Sequence, residues 1–212
     1  MNEQYLAQCL INQDCLSRSQ LVSLLQKKSF QAVAETVADI EMEEGNPVSK
    51  AVRKATGKEL LMECDAYSSY MELFMESLLQ FLEAPAVVDP TWIASSELEG
   101  IYCAVSQRME GDACIVAGIM AEDDAFVELA ERYSGEDVDS PEDELAIDSL
   151  QEFLNVVNGL YCVDVASASK EIDLGVPRWG KVESPQGNHQ LLLRIYTDFG
   201  SFYVVLAADE FI

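Results

Sequence analysis

Asp148, Glu152 and Asn155 are the residues of this chain whose types and spacing can do chemistry, with 21 residues between Asn155 and Pro177. On a helix, at about 100° per residue, Glu152 falls roughly 40° to one side of Asp148 and Asn155 roughly 20° to the other. Two carboxylates and a carboxamide therefore share one narrow face. A carboxamide accepts through its oxygen and donates through its nitrogen without titrating near neutrality. A compact polar patch of this kind can press into another protein's active site.

The helix that must carry the patch has an apolar opposite side. With Asp148 at the centre of the projection, Ala146, Leu150, Phe153, Leu154, Val157, Leu160 and Tyr161 fall away from it and are expected to bury. Gln151 and Asn158 flank the patch on one shoulder and Ser149 on the other. Ser140-Pro141-Glu142-Asp143 supplies an N-cap, a proline at the first helical position and an acid at the third, so the helix is expected to start there.

Around this helix the pattern alternates between strands and helices. Residues 100 to 107 and 112 to 120 read as strands joined through Glu110-Gly111-Asp112, and Ala125 to Tyr133 as a short helix stopped by a C-terminal Gly135. Leu191 to Thr197 and Phe202 to Ala207 read as a closing hairpin. Tyr67 to Leu82 is a helix with an apolar face of Met71, Leu73, Phe74, Met75, Leu78, Leu79 and Phe81, ended by Pro85. No long βαβ crossover is needed, which indicates an α+β fold with helices against one face of the sheet. The first 62 residues form a helical N-terminal extension: Gln4 to Ile11, Ser19 to Lys27, Phe30 to Glu43, then a basic helix capped by Ser49 that carries Lys50, Arg53, Lys54 and Lys58. That positive cluster reads as a solvated face balancing the acidic Glu41 to Glu44 run.

Charge bounds the partners. Thirteen Lys and Arg against 38 Asp and Glu give a formal charge of -25 over 212 residues, which repels nucleic acid and anionic lipid. The N-terminus lacks the pattern of a secretion signal, and no apolar run approaches membrane-spanning length, so a cytoplasmic location is expected. Cys9, Cys15, Cys64, Cys103, Cys114 and Cys162 show no CxxC spacing and read as reduced core residues. His189, the one histidine, lies in a Ser-Pro-Gln-Gly-Asn loop, which argues against histidine triads and zinc sites. The acids from Asp137 to Glu144 lack EF-hand spacing, so no metal ligand is assigned.

The run Glu152-Phe153-Leu154-Asn155-Val156-Val157-Asn158-Gly159, following Asp148, resembles the signature of the CheC and CheX family of chemotaxis phosphatases, and Pro177 falls at the family's usual distance. The resemblance covers residues 66 to 212 and is clearest over 112 to 180. One signature is present where CheC-like members can carry two, so the chain is closer to CheX, and Asn158 stands where a smaller residue is more usual. The resemblance implies a CheX-like domain over 66 to 212, a mainly antiparallel sheet packed against long helices. Its implied activity is hydrolysis of the aspartyl phosphate of a CheY-type receiver in chemotaxis or related two-component signalling. Asn155 and Glu152 would then be the catalytic residues, Asn155 placing the attacking water and Glu152 engaging the receiver lysine. Asp148 and Gln151 would join Glu152 in partner binding, with Gly159 and Pro177 structural. The chain itself would hold no cofactor, because Mg2+ belongs to the receiver's acidic pocket. A homodimer through sheet edges is also implied. The alternative is an adaptor that binds a receiver, or a scaffold in a signalling or flagellar-switch complex, without hydrolysis.

Overall fold

The computed structural model describes residues 3–27, 45–56, 64–112, 114–167, 171–186 and 190–212. The expected helix from Phe30 to Glu43, the Glu41 to Glu44 run, Lys58 and His189 lie outside the described residues. The chain divides into two compact units, one of Met1–Trp92 with Leu193–Ser201 and one of Ile93–Leu192 with Phe202–Ile212.

The first unit contains α1 (Glu3–Asn12), α2 (Arg18–Lys27), α3 (Pro47–Ala55), α4 (Cys64–Leu82) and β1 (Ala86–Val88). Strand β1 pairs antiparallel with β6 (Leu191–Thr197), Ala86 opposite Thr197 and Val88 opposite Ile195. Ala7 and Ile11 of α1 and Leu21 and Leu25 of α2 bury against Val87 and Tyr196 of this ribbon. The N-terminal helices thereby cover an apolar strand face that would otherwise meet water.

Helix α3 corrects the expected cap. Its N-cap is Asn46, whose Oδ1 accepts from the Val48 N–H at 2.9 Å, with Pro47 in the first turn. A proline there loses no bond and has its φ already set for the helix, so the start moves ahead of Ser49. Ser49 donates instead to Glu72. The basic residues are used within the chain: Arg53 pairs with Asp65 at 3.1 Å, and the Lys54 ammonium donates to the carbonyl of Asn12 at the end of α1. In α4, Tyr67, Tyr70, Met71, Phe74, Met75 and Leu78 are buried, whereas Leu79, expected in the apolar face, is exposed.

The second unit contains a 3-10 turn (Ser95–Glu97), β2 (Tyr102–Gly111), β3 (Ile115–Ala121), α5 (Asp123–Ser134), α6 (Glu144–Ser167), β4 (Ile172–Leu174), β5 (Arg178–Val182) and β7 (Ser201–Ala207). Strand β3 pairs with β2 and β7, and β2 carries β5 over Tyr102–Ser106 and β4 over Met109–Gly111, every ladder antiparallel. The expected α+β class with a mainly antiparallel sheet is therefore observed. Strand β3 is buried at every position, so both faces of the sheet are covered. On one face Tyr102, Ala104, Val116, Met120, Tyr203 and Val205 close around Phe211. On the other, α6 crosses β2 with α5 packed beside it, and the rings of Tyr133 and Phe153 meet edge-on at 5.6 Å between centroids.

Helix α5 stops as expected. Gly135 adopts φ 73, and its N–H bonds the Glu131 carbonyl at 2.8 Å. Helix α6 starts later than expected. Ser140-Pro141-Glu142-Asp143 forms a turn closed by Asp143 N–H on Ser140 O at 3.1 Å. Asp143 is the cap: its carbonyl accepts from Ile147 N–H and its Oδ1 from Leu145 N–H. Proline suits the second position of a turn as well as the first turn of a helix, and here the turn takes it.

Candidate functional site

Helix α6 brings the predicted residues together. Asp148, Gln151, Glu152 and Asn155 line one open concavity of about 410 Å³, and Pro177 closes its side. Asp148 and Glu152 are exposed, and Gln151 and Asn155 half-buried. Pro177 arrives there because the segment between β4 and β5 leaves the edge of β2. Gly175 N–H bonds the Arg108 carbonyl at 2.7 Å, Val176 and Pro177 then swing past, and Arg178 resumes pairing opposite Ser106. A Cβ on Gly175 would lie 3.2 Å from the Arg108 carbonyl oxygen, so close approach of the two backbones favours glycine. Gly159 sits on α6 facing Leu174 of β4, where an added Cβ would make an ordinary contact at 3.9 Å.

The apolar side of α6 follows the projection for Ala146, Leu150, Phe153, Leu154, Val157 and Tyr161. Leu160 departs from it, at 42% exposed. The shoulders of the patch also differ. Ser149 and Asn158 are buried, Asn158 completely. Ser149 Oγ donates back to the Leu145 carbonyl, which satisfies it within the helix. Asn158 finds its partner in the sheet. Its Nδ2 donates to Gln107 Oε1 at 2.8 Å, while Gln107 Nε2 donates to Asn155 Oδ1 at 2.8 Å and to the Gly175 carbonyl at 2.9 Å.

Gln107 is thus a site residue that sequence reasoning missed. It sits on β2, 1% exposed, directly beneath the polar patch. The larger Asn158 in place of a small residue has a physical account, since it satisfies the Gln107 oxygen that would otherwise be buried unpaired.

Electrostatically the patch is acidic, the carboxylates of Asp148 and Glu152 lying beside the amides of Gln151 and Asn155. Burial pushes the Tyr133 phenol up, and the Glu152 carboxylate nearby adds to the rise. Among the described residues, no group of three or more His, Cys, Asp or Glu side chains could hold a metal ion, and no helix is long and apolar enough to cross a membrane. The described cysteines are free thiols. Cys9, Cys64 and Cys103 are buried as expected, but Cys15 and Cys114 are exposed and Cys162 half-buried, because the segments that hold them lie at element ends or on an outer helix face.

No protein-family profile matches the sequence, and a search of curated proteins gives no match. Solved structures do match the fold. A chemotaxis protein CheX from Desulfovibrio desulfuricans aligns over 68% of this chain and 99% of its own, with a TM-score of 0.55 at 9% identity. A CheC-like superfamily protein from a Shewanella species aligns over 67% and 96%, with a TM-score of 0.52 at 14% identity. Thermotoga maritima FliY aligns over 73% and 92%, with a TM-score of 0.54 at 16% identity. In the order and packing of its helices and strands, this chain has the fold of the CheX and CheC-like proteins.

Proposed function

We propose that this chain is a CheX-like phosphatase that accelerates hydrolysis of the aspartyl phosphate of a CheY-type receiver. The observation that carries the reading is the gathering of Asp148, Gln151, Glu152, Asn155 and Pro177 around one open concavity on α6. The shared fold and the signature run over Glu152 to Gly159 support it.

An aspartyl phosphate is an acyl phosphate and already reactive, so the catalyst needs chiefly to place a water in line with the phosphorus, opposite the leaving carboxylate. The Asn155 carboxamide does this by accepting a hydrogen from the water at its oxygen and donating to a phosphoryl oxygen from its nitrogen. Glu152, one turn earlier and exposed, pairs with the receiver's lysine and fixes the approach. Asp148 and Gln151 add contacts at the rim. A divalent ion held by the receiver would neutralise phosphoryl charge, while the residues of this chain place the water and dock the partner.

The test is the decay of an acetyl-phosphate-charged CheY-type receiver from the same genome with wild type, Asn155→Ala and Glu152→Lys. Faster decay with wild type, lost in Asn155→Ala despite retained binding, is the expected result. Firm binding without faster decay selects the adaptor, and no binding rejects both readings for that receiver.

A further inference from the structure

We infer that Gln107 is the positioning residue of this site: it holds the Asn155 carboxamide in one of its two orientations, with the NH2 group turned toward a bound oxyanion. The inference rests on the phosphatase reading for its consequence, but its geometry stands on the hydrogen bonds alone.

The Gly175 carbonyl can only accept, so the end of the Gln107 amide that faces it must be Nε2. That nitrogen has two hydrogens. One goes to Gly175 O and the other to Asn155. The Asn155 atom that receives it must therefore be Oδ1. At the other end, Gln107 Oε1 takes the Asn158 Nδ2 hydrogen at 2.8 Å. With both hydrogens and the oxygen of Gln107 engaged, a half-turn of Asn155 would set one NH2 against another beside a side chain that is 1% exposed. An unpaired buried donor is disfavoured enough to make the flipped form a minor one.

The consequence reaches the cavity that Asn155 lines. Its Nδ2 is directed to the side away from Gln107, so the concavity offers an N–H pair beside the exposed carboxylates of Asp148 and Glu152. Donation from Gln107 also polarises the Asn155 amide and strengthens its N–H groups as donors. The second lone pair of Oδ1 remains for the attacking water. A backbone carbonyl in the β4–β5 segment, an amide on β2 and an amide on α6 thereby fix the orientation of the group that meets the phosphoryl oxygen.

Two variants separate orientation from packing. Gln107→Glu keeps an acceptor for Asn158, but even protonated it has one hydrogen where Gln107 Nε2 supplies two, so the Gly175 carbonyl and Asn155 Oδ1 can no longer both be satisfied. Gln107→Met keeps the volume and removes both bonds. In single-turnover receiver dephosphorylation, each is expected to lower the maximal rate tenfold or more while the half-saturating concentration stays within about twofold. Full maximal rate in either folded variant overturns the inference. In wild type, NMR should show a coupling across the hydrogen bond from Gln107 Nε2 to Asn155 Cγ, and its absence also overturns the inference. If wild type leaves receiver decay unchanged, the phosphatase reading fails, while the coupling still decides whether Gln107 orients Asn155.

Discussion

Arg18 Nε lies 3.0 Å from Asp89 Oδ2, and that carboxylate is only 2% exposed. The Thr91 N–H donates to the other oxygen at 2.9 Å, and the Tyr196 hydroxyl also reaches Oδ2, at 3.3 Å. Asp89 follows directly on β1, so a cation on α2 neutralises the buried charge where the strand ends. Removing one partner of such a pair strands the other. Because Asp89 keeps two donors and Arg18 is partly in water, Arg18→Ala should cost about 2–3 kcal/mol, below the full range for a buried pair. Urea unfolding measures it, and an unchanged midpoint would show the contact to be idle. A chain starting at Cys64 loses Arg18 together with the α1 and α2 cover of Val87 and is expected to unfold at lower urea than the full chain.

Gly118 is needed for the C-terminal closure. A Cβ there would lie 2.4 Å from the Phe211 ring and 2.4 Å from the Val105 carbonyl oxygen. The ring can shift, but the strand carbonyl cannot move without breaking its ladder. Gly118→Ala should destabilise by about 2–4 kcal/mol through overpacking, and adding Phe211→Leu should restore only part of that. Complete rescue in thermal unfolding would place the whole conflict at the ring.

The cap of α6 can be assigned by paired substitutions. Asp143→Ala removes the acceptor for the Leu145 N–H and should cost about 1 kcal/mol. Ser140→Ala leaves the backbone carbonyl that closes the turn, and its unfolding midpoint should move by much less. Equal losses in both variants would contradict the late helix start.

Cys103 should be the slow thiol of this chain. Burial, then a hydrogen bond to Asp123 and the charge of that carboxylate, push it up from 9.0 to about 12. At pH 8 the exposed Cys15 and Cys114 should react with a maleimide far ahead of it. The unfolded chain loses the Cys103 proton near 9.0 while the folded chain holds it to about 12, so this contribution to stability is present below pH 9 and is lost as pH rises from there toward 12. Cys103→Ala should flatten the alkaline fall in unfolding midpoint, and an identical fall in both proteins would remove the thiol from the account.

The sequence made α6 readable because its apolar positions recur with the helical period, and the stop at Gly135 because a left-handed residue has few alternatives. It misled at Asn158, Ser149 and Leu160. A helical projection sorts side chains by polarity, but burial on α6 is set by what lies opposite, and opposite Asn158 lies a glutamine. Gln107 gave no signal of its own, since an amide in a strand acquires a role only when a helix and a loop from later in the chain arrive above it. Ser140 and Asp143 were both competent caps, and the proline between them fits a turn and a helix start equally well, so the choice rested on tertiary packing.

Gln8 has a consequence for self-association. Its carboxamide donates to the Val88 carbonyl at 2.8 Å and accepts from the Val88 N–H at 2.8 Å, imitating with one side chain the paired bonds of a neighbouring strand. Strand β1 is an end strand, paired on its other side with β6. A plug at the end of so short an edge denies a foreign strand its foothold. Any copy of this chain that joins by extending a sheet must therefore add elsewhere, and Gln8→Ala would uncap a template on which molecules could stack.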